Sequence, residues 1–175
     1  MPKGRYDHKH FEAKAHLGDI EKFKERLAYG LEAQDKVKES LENEGLITLE
    51  SDEPKPMYTK IDHPKPDLIF DNVMVEVRRQ DIKWGTVLLG YTKKADGWFY
   101  WSEKLQKALV FCILSKDMKK LAWVNLSLHK KGMYTKVNNA GDTDYVLSKE
   151  AFIISDYDTG IKRLVQVIQN LKYSP

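Results

Sequence analysis

Pro66-Asp67-Leu68-Ile69-Phe70-Asp71-Asn72-Val73-Met74-Val75-Glu76-Val77-Arg78 reads as two short apolar strands meeting at Asp71-Asn72. A two-residue loop there fixes the register. Phe70 then faces Val73, Ile69 faces Met74, Leu68 faces Val75 and Asp67 faces Glu76. A loop of three to five residues loosens that register by a residue or two. Directly opposed residues have Cβ atoms about 4.5–5.5 Å apart, so two carboxylates at 67 and 76 repel each other. A cation between them removes the penalty, and the pair has the form of half a metal site. Leu68, Phe70, Val73, Val75 and Val77 fall on one face and suit a core. Asp67, Ile69, Met74, Glu76 and Arg78 fall on the other, with Lys65 expected opposite Arg78. The second strand is partly apolar on both faces, as suits an interior strand covered on each side.

A bland reading stands beside this one. Asp67 can simply open a strand after a proline, and Glu76 can pair with Arg78 or Lys65 across an exposed face.

At 175 residues the chain is long enough for one sizeable core, and it is read as a single domain over 1–175, with 1–18 irregular. The 42% hydrophobic and 31% charged composition is that of a globular protein in water. No run approaches a bilayer span and no secretory apolar segment follows the polar start, so no membrane partner is expected. The one cysteine, Cys112, lies inside Leu109-Val110-Phe111-Cys112-Ile113-Leu114 and reads as a small buried hydrophobe. A disulfide framework within one chain is excluded, which suits a cytoplasmic setting. The net charge of +3 is too small to show nucleic-acid binding by itself. Its distribution says more: cations cluster at Arg78, Arg79 and Lys83, at Lys93 and Lys94, at Lys116, Lys119 and Lys120, and at Lys130, Lys131 and Lys136. Trp84, Tyr91, Trp98 and Tyr134 interleave with them. Such a mixture can track a phosphate backbone, and it can equally be a set of solvated lysines. His8, His10 and His16 lack the companions of a zinc motif.

Asp19 to Glu44 has a helical period, with Ile20, Phe23, Leu27, Leu31, Val37 and Leu41 on one stripe, Asp19 as N-cap and Gly45 as C′ residue. Gly30 and Gln34 lie in the same stripe. Leu46 to Leu49 resembles a short strand and Ser51 to Pro66 a loop. Thr86 to Leu89 is an apolar piece, and Trp98 to Trp101 and Ala108 to Leu114 read as two strands. Ser115 is expected to cap a helix reaching Leu126, Asn138 to Asp142 to form a turn, and Asp158 to cap a last helix with Ile161, Leu164, Val165, Ile168 and Leu171 inside. Tyr145 to Leu147 and Phe152 to Ile154 are short apolar pieces. The order predicts an α/β fold, a central mixed β-sheet flanked by helices.

At these residues the chain resembles the PD-(D/E)XK nuclease superfamily, the fold of many restriction enzymes, Holliday-junction resolvases and phage or viral nucleases. Pro66-Asp67 matches the PD element. Glu76-Val77-Arg78 matches the (D/E)-x-K element, with arginine where lysine is usual. On the preceding helix, Gln34 stands where members carry a glutamate ahead of apolar positions (here Val37 and Leu41) and a glycine (Gly45). Trp84 to Leu88 and Thr92 to Tyr100 are similar to the stretch many viral members carry next. The resemblance runs from Asp19 to Leu114.

It implies a restriction-endonuclease-like fold and a metal-dependent endonuclease that hydrolyses DNA phosphodiesters. Asp67, Glu76 and the Val77 carbonyl would hold Mg²⁺ or Mn²⁺. Arg78 would stabilise developing negative charge, although an arginine is a poor proton acceptor. Gln34 would touch a metal-bound water, and Arg79, Lys83, Lys93 and Lys94 would contact DNA. A homodimer and a cytoplasmic location (the host's, for a viral protein) are also implied. The two departures, arginine for lysine and glutamine for glutamate, leave open a second function: a non-catalytic nucleic-acid-binding or assembly protein on the same fold.

Overall fold

The computed structural model describes residues 17–51, 67–70, 73–82, 86–137, 139 and 141–172. Helix α1 (Leu17–Asn43) leads into β1 (Thr48–Ser51), β2 (Leu68–Phe70) and β3 (Val73–Arg79). β4 (Thr86–Tyr91), α2 (Thr92–Leu105), β5 (Ala108–Leu114), β6 (Lys120–Asn125) and the short α3 (Leu126–His129) follow. β7 (Tyr134–Val137), β8 (Thr143–Ser148), β9 (Ile153–Asp156) and α4 (Tyr157–Lys172) complete the order.

Six strands form the central sheet in the order β1-β2-β3-β5-β6-β9. β3 and β5 are parallel and the other pairs antiparallel, so the sheet is mixed as expected. A parallel pair needs a crossover of a dozen or more residues, which the stretch holding β4 and α2 supplies. β4, β8 and β7 form a second, three-stranded sheet that the sequence reading did not anticipate.

Each face of the central sheet has its own core. On one side Leu68, Phe70, Val73, Val75 and Val77 pack with Ala33, Val37 and Leu41 of α1 and with Ile161, Leu164, Val165 and Ile168 of α4. On the other, Ile69, Met74, Leu109 and Phe111 pack with Ala95, Trp98 and Phe99 of α2 and with Val87, Leu89 and Leu147 of the small sheet. Removing that much apolar side chain from water is the main term favouring the fold. α4 lies so close on β6 that a Cβ at Gly160 would come within 2.9 Å of Ser155 Oγ and 3.1 Å of Leu121 Cβ.

Helix α1 ends as its sequence predicts. Gly45 takes φ +92°, Leu46 N–H donates to Leu41 O and Gly45 N–H to Glu42 O, a Schellman closure with Leu46 buried behind it. Among its described side chains burial begins in the later half, and Leu27, assigned to the inner stripe, is exposed. β1 begins at Thr48 rather than Leu46, and Ile47 points to solvent.

Three further expectations are corrected. Trp98 to Trp101 is helical, within α2. Ala95, Trp98, Phe99 and Ser102 are buried while Asp96, Tyr100 and Glu103 are exposed, a 3.6-residue pattern that overrides the β preference of four consecutive aromatics. Trp98, lying inside the core, is also withdrawn from any stacking surface. Ser115 caps no helix. Its hydroxyl donates to Asp117 and accepts the Lys120 N–H, Met118 takes φ +59°, and the chain turns from β5 into β6. Leu121 to Val124 are buried on both faces, so an interior strand forms where a helix was expected. Finally, Asp156 and not Asp158 caps α4: its carboxylate accepts the Thr159 N–H at 3.1 Å and the Thr159 hydroxyl at 3.0 Å. The Asp71-Asn72 loop, the Ser51–Pro66 loop beyond Ser51 and the histidines at 8, 10 and 16 lie outside the described residues.

The candidate acidic site at the end of strand β2

The register across β2 and β3 is the one read from the sequence: Phe70 with Val73, Ile69 with Met74, Leu68 with Val75. The ladder stops at Leu68. Asp67 lies one residue beyond it and Glu76 one residue beyond Val75, so the two carboxylates meet where β2 runs out. Asp67 Oδ2 accepts the Val77 N–H at 2.9 Å, and Glu76 Oε2 accepts the Asp67 N–H at 3.2 Å. Each acid thus takes a backbone N–H past the last β2–β3 pair. A charged acceptor strengthens such bonds and offsets part of the repulsion between two neighbouring carboxylates.

β3 has neighbours on both edges, β2 and β5, so Glu76 has little choice of environment. It is 4% exposed, while Asp67 is half-buried. A carboxylate held this far from water demands compensating donors or cations. N–H and C=O of one residue in a strand point to the same edge. The Val77 carbonyl therefore faces the edge on which Asp67 holds the Val77 N–H. Two carboxylates and one carbonyl make an all-oxygen donor set, which suits a hard divalent cation that keeps several waters. Among the described residues no group of three or more His, Cys, Asp or Glu comes together as a metal cluster.

Arg78 shares the face of Glu76. Its Nη2 donates to the Leu89 carbonyl at 2.7 Å, and its guanidinium lies 5.2 Å from the centre of the Phe111 ring. The anchoring carbonyl belongs to β4, the strand that follows the hairpin, and no local signal marks it. Arg79 points the other way, as strand alternation requires. It lies 3.7 Å from the Tyr29 ring centre, bonds Glu32 at 3.1 Å and donates twice to the Lys116 carbonyl, at 3.1 and 2.7 Å. Its side chain is 9% exposed, so its donors clamp α1 to the β5–β6 turn on the face away from Glu76.

Gln34 is buried in α1, next to Ala33 and one turn before Val37. Arg79 meets Tyr29 and Glu32, and the far end of α1 leads to β1, which pairs with β2 at Phe70. α1 therefore runs antiparallel to β3. Two strand residues cover about 7 Å, or about four to five helix residues, which puts Gln34 at the level of Val77. There the edge of β3 has passed the end of β2, where Asp67 stands. α1 covers the face opposite Glu76.

Lys83 and Lys65 are outside the described residues. Lys93 and Lys94 fall in the first turn of α2, where the backbone alone is described. Cys112 is buried in β5, and burial pushes its thiol far above the ordinary range, so it is inert as a nucleophile. No helix among the described residues is long and apolar enough to cross a membrane.

No family model matches the chain, and no curated protein matches it. Among solved structures, Hjc from Archaeoglobus fulgidus, a Holliday junction resolvase from an archaeal hyperthermophile, is similar over 67% of this chain and 88% of its own. The two share 12% identity at a TM-score of 0.43, which leaves the reading of the acidic corner to its own geometry.

Proposed function

We propose that the chain is a PD-(D/E)XK-type endonuclease that hydrolyses DNA phosphodiester bonds with Mg²⁺ or Mn²⁺ at Asp67, Glu76 and the Val77 carbonyl. The observation that carries the proposal is the interlock at the end of β2, where Asp67 holds the Val77 N–H and Glu76 holds the Asp67 N–H. It brings both carboxylates to the same end of the β2–β3 ladder, with Glu76 carried by the interior strand β3.

A bound divalent ion would lower the pKa of a water and polarise the scissile phosphate. The protein's own part is positioning. Glu76, buried in an interior strand, keeps its carboxylate aimed without solvent to reorient it. Asp67, half-buried, offers the more accessible oxygen. Arg78, steadied by the Leu89 carbonyl and the Phe111 ring, sets a permanent positive charge on the same face as Glu76, suited to the charge that develops on phosphate oxygens. Gln34 supplies an amide at the level of Val77, able to orient a water but not to take its proton.

The test is cleavage of supercoiled plasmid and branched DNA in Mg²⁺ and Mn²⁺ by wild type, Asp67→Ala and Glu76→Ala. Cleavage by wild type and loss in both variants supports the proposal. Wild type that cleaves nothing, or variants that cleave as well as it does, refutes it.

A second reading draws on the same contacts. Both carboxylates already accept backbone N–H groups and Arg78 already has a carbonyl partner, so the corner can stand as a structural feature of a DNA-binding protein that does not cut. DNA retention without cleavage in either metal favours it.

A further inference from the structure

The three-stranded sheet is joined to the acidic corner by the bond from Arg78 to the Leu89 carbonyl of β4, and it stands on the same side of the central sheet as Glu76. Its order is β4-β8-β7, so among the described residues β7 is an outer strand with one edge unpaired. Strand spacing puts β7 about 10 Å from β4. All four residues of β7 are exposed, and Tyr134 keeps 52% of its surface open.

The chemistry of this edge is one-sided. From Leu126 to Val137 the sequence holds Lys130, Lys131, Lys136 and His129 and no acid. Lys130 makes an ion pair with Glu103 at 2.8 Å, but both side chains are more than half exposed, and such a pair is weak enough to exchange for a phosphate. Lys131 and Lys136 are exposed. Tyr134 and Lys136, two residues apart on one strand, share a face. Lys136 stands opposite Asp144 in the ladder, and Asp144 is buried. An exposed ring flanked by ammonium groups along an open strand edge is the arrangement that binds a single nucleic-acid strand, with a base on the ring and phosphates on the lysines.

We propose that β7 is a docking edge for single-stranded DNA, with a base stacked on Tyr134 and phosphates held by Lys131 and Lys136. The assignment rests on the nuclease reading and sharpens it. The substrate class becomes DNA with an unpaired segment (a flap, a gap or an opened junction), whose strand runs along β7 toward the corner at Asp67 and Glu76.

Binding is measured on the full chain in EDTA by fluorescence anisotropy, with a labelled oligothymidylate and a blunt duplex of equal length. Tyr134→Ala is expected to weaken oligothymidylate binding about tenfold, and Tyr134→Phe to preserve it. Lys131→Gln with Lys136→Gln is expected to lower the slope of log affinity against log salt by about 1.4, two single-strand contacts. Thermal melts check that each variant folds. Wild type that binds duplex alone or neither probe overturns the proposal, as does Tyr134→Ala that binds like wild type. No metal is present, so loss of the nuclease reading leaves these curves unaffected. Wild type that cleaves while the β7 variants bind normally ends the β7 assignment alone.

Discussion

Asp67 and Val77 are joined by a 2.9 Å bond from the Val77 N–H to the carboxylate Oδ2, one step beyond the last pair of the β2–β3 ladder. The carboxylate does for Val77 what a longer β2 would have done. One side chain therefore ends a strand, satisfies an otherwise orphaned donor and stands beside a buried glutamate.

That dual role separates fold from chemistry. Asp67→Asn keeps an amide oxygen for the Val77 N–H but loses the charge. The variant is expected to melt close to wild type and to cleave DNA at least about 100-fold more slowly, the scale of losing one charge-stabilising group in a site. Parallel melts and plasmid-nicking rates check it. Cleavage by the Asp67→Asn variant at the wild-type rate removes Asp67 from the site.

Gln34→Glu places a third carboxyl at the level of Val77. In EDTA the buried charge is expected to cost about 2 kcal/mol or more. Millimolar Mn²⁺ is expected to restore much of that loss, because an ion bound to the folded form stabilises it by mass action. Melting curves with and without Mn²⁺ read the effect. Equal shifts in wild type and variant would place Gln34 away from any bound ion.

Arg79→Ala releases α1 from the β5–β6 turn, losing the Tyr29 ring contact and the bonds to Lys116 and Glu32. The loss is expected to be about 2 kcal/mol, roughly 4–8 °C in melting temperature for a chain of this size. Arg79→Lys recovers little, since one ammonium cannot reproduce the forked contacts. Differential scanning calorimetry on the two variants tests this.

Alkaline pH weakens the fold through two groups. Burial holds the Cys112 thiol well above its ordinary value and pushes the Tyr157 hydroxyl up to about 12. Above about pH 8.5 the unfolded chain releases the cysteine proton and the folded chain keeps it. The folded state then binds more protons, and stability falls with rising pH by about 1.4 kcal/mol per unit. Above about pH 10 the unfolded tyrosine adds to the slope, until the folded groups ionise in turn. Melting temperature against pH should show the decline, and Cys112→Ala should lower the plateau yet abolish the first part of the slope.

At the acid end, the Thr159 N–H and hydroxyl hold the Asp156 carboxyl below the usual range. Its contribution is present above the unfolded carboxylate value and is lost as pH falls through the folded one. Asp156→Ala should lower the melting temperature at neutral pH and flatten the acid limb. Asp158→Ala should do much less, and a reversal of that order would reassign the cap of α4.

The periodicity of the residues carried the hairpin register, the two-faced character of β3 and the inner stripe of α4, and Gly45 marked the end of α1. These are local matters: period two sorts a strand's faces, period 3.6 sorts a helix's, and glycine accepts a positive φ. The chain by itself did not separate strand from helix at Trp98 to Trp101 or at Lys120 to Asn125. Aromatic runs and continuous apolar runs serve either state, and only the layer each segment packs against decides. The partners of Arg78 and Arg79 were equally hidden. Phe111, Tyr29 and Lys116 approach from distant segments and Leu89 from the next strand, and they are met through backbone carbonyls or ring faces that carry no sequence mark. The hairpin pattern carried the expectation that Asp67 would face Glu76; the tertiary structure determined that they meet past the end of a strand, beside an arginine whose direction β4 sets.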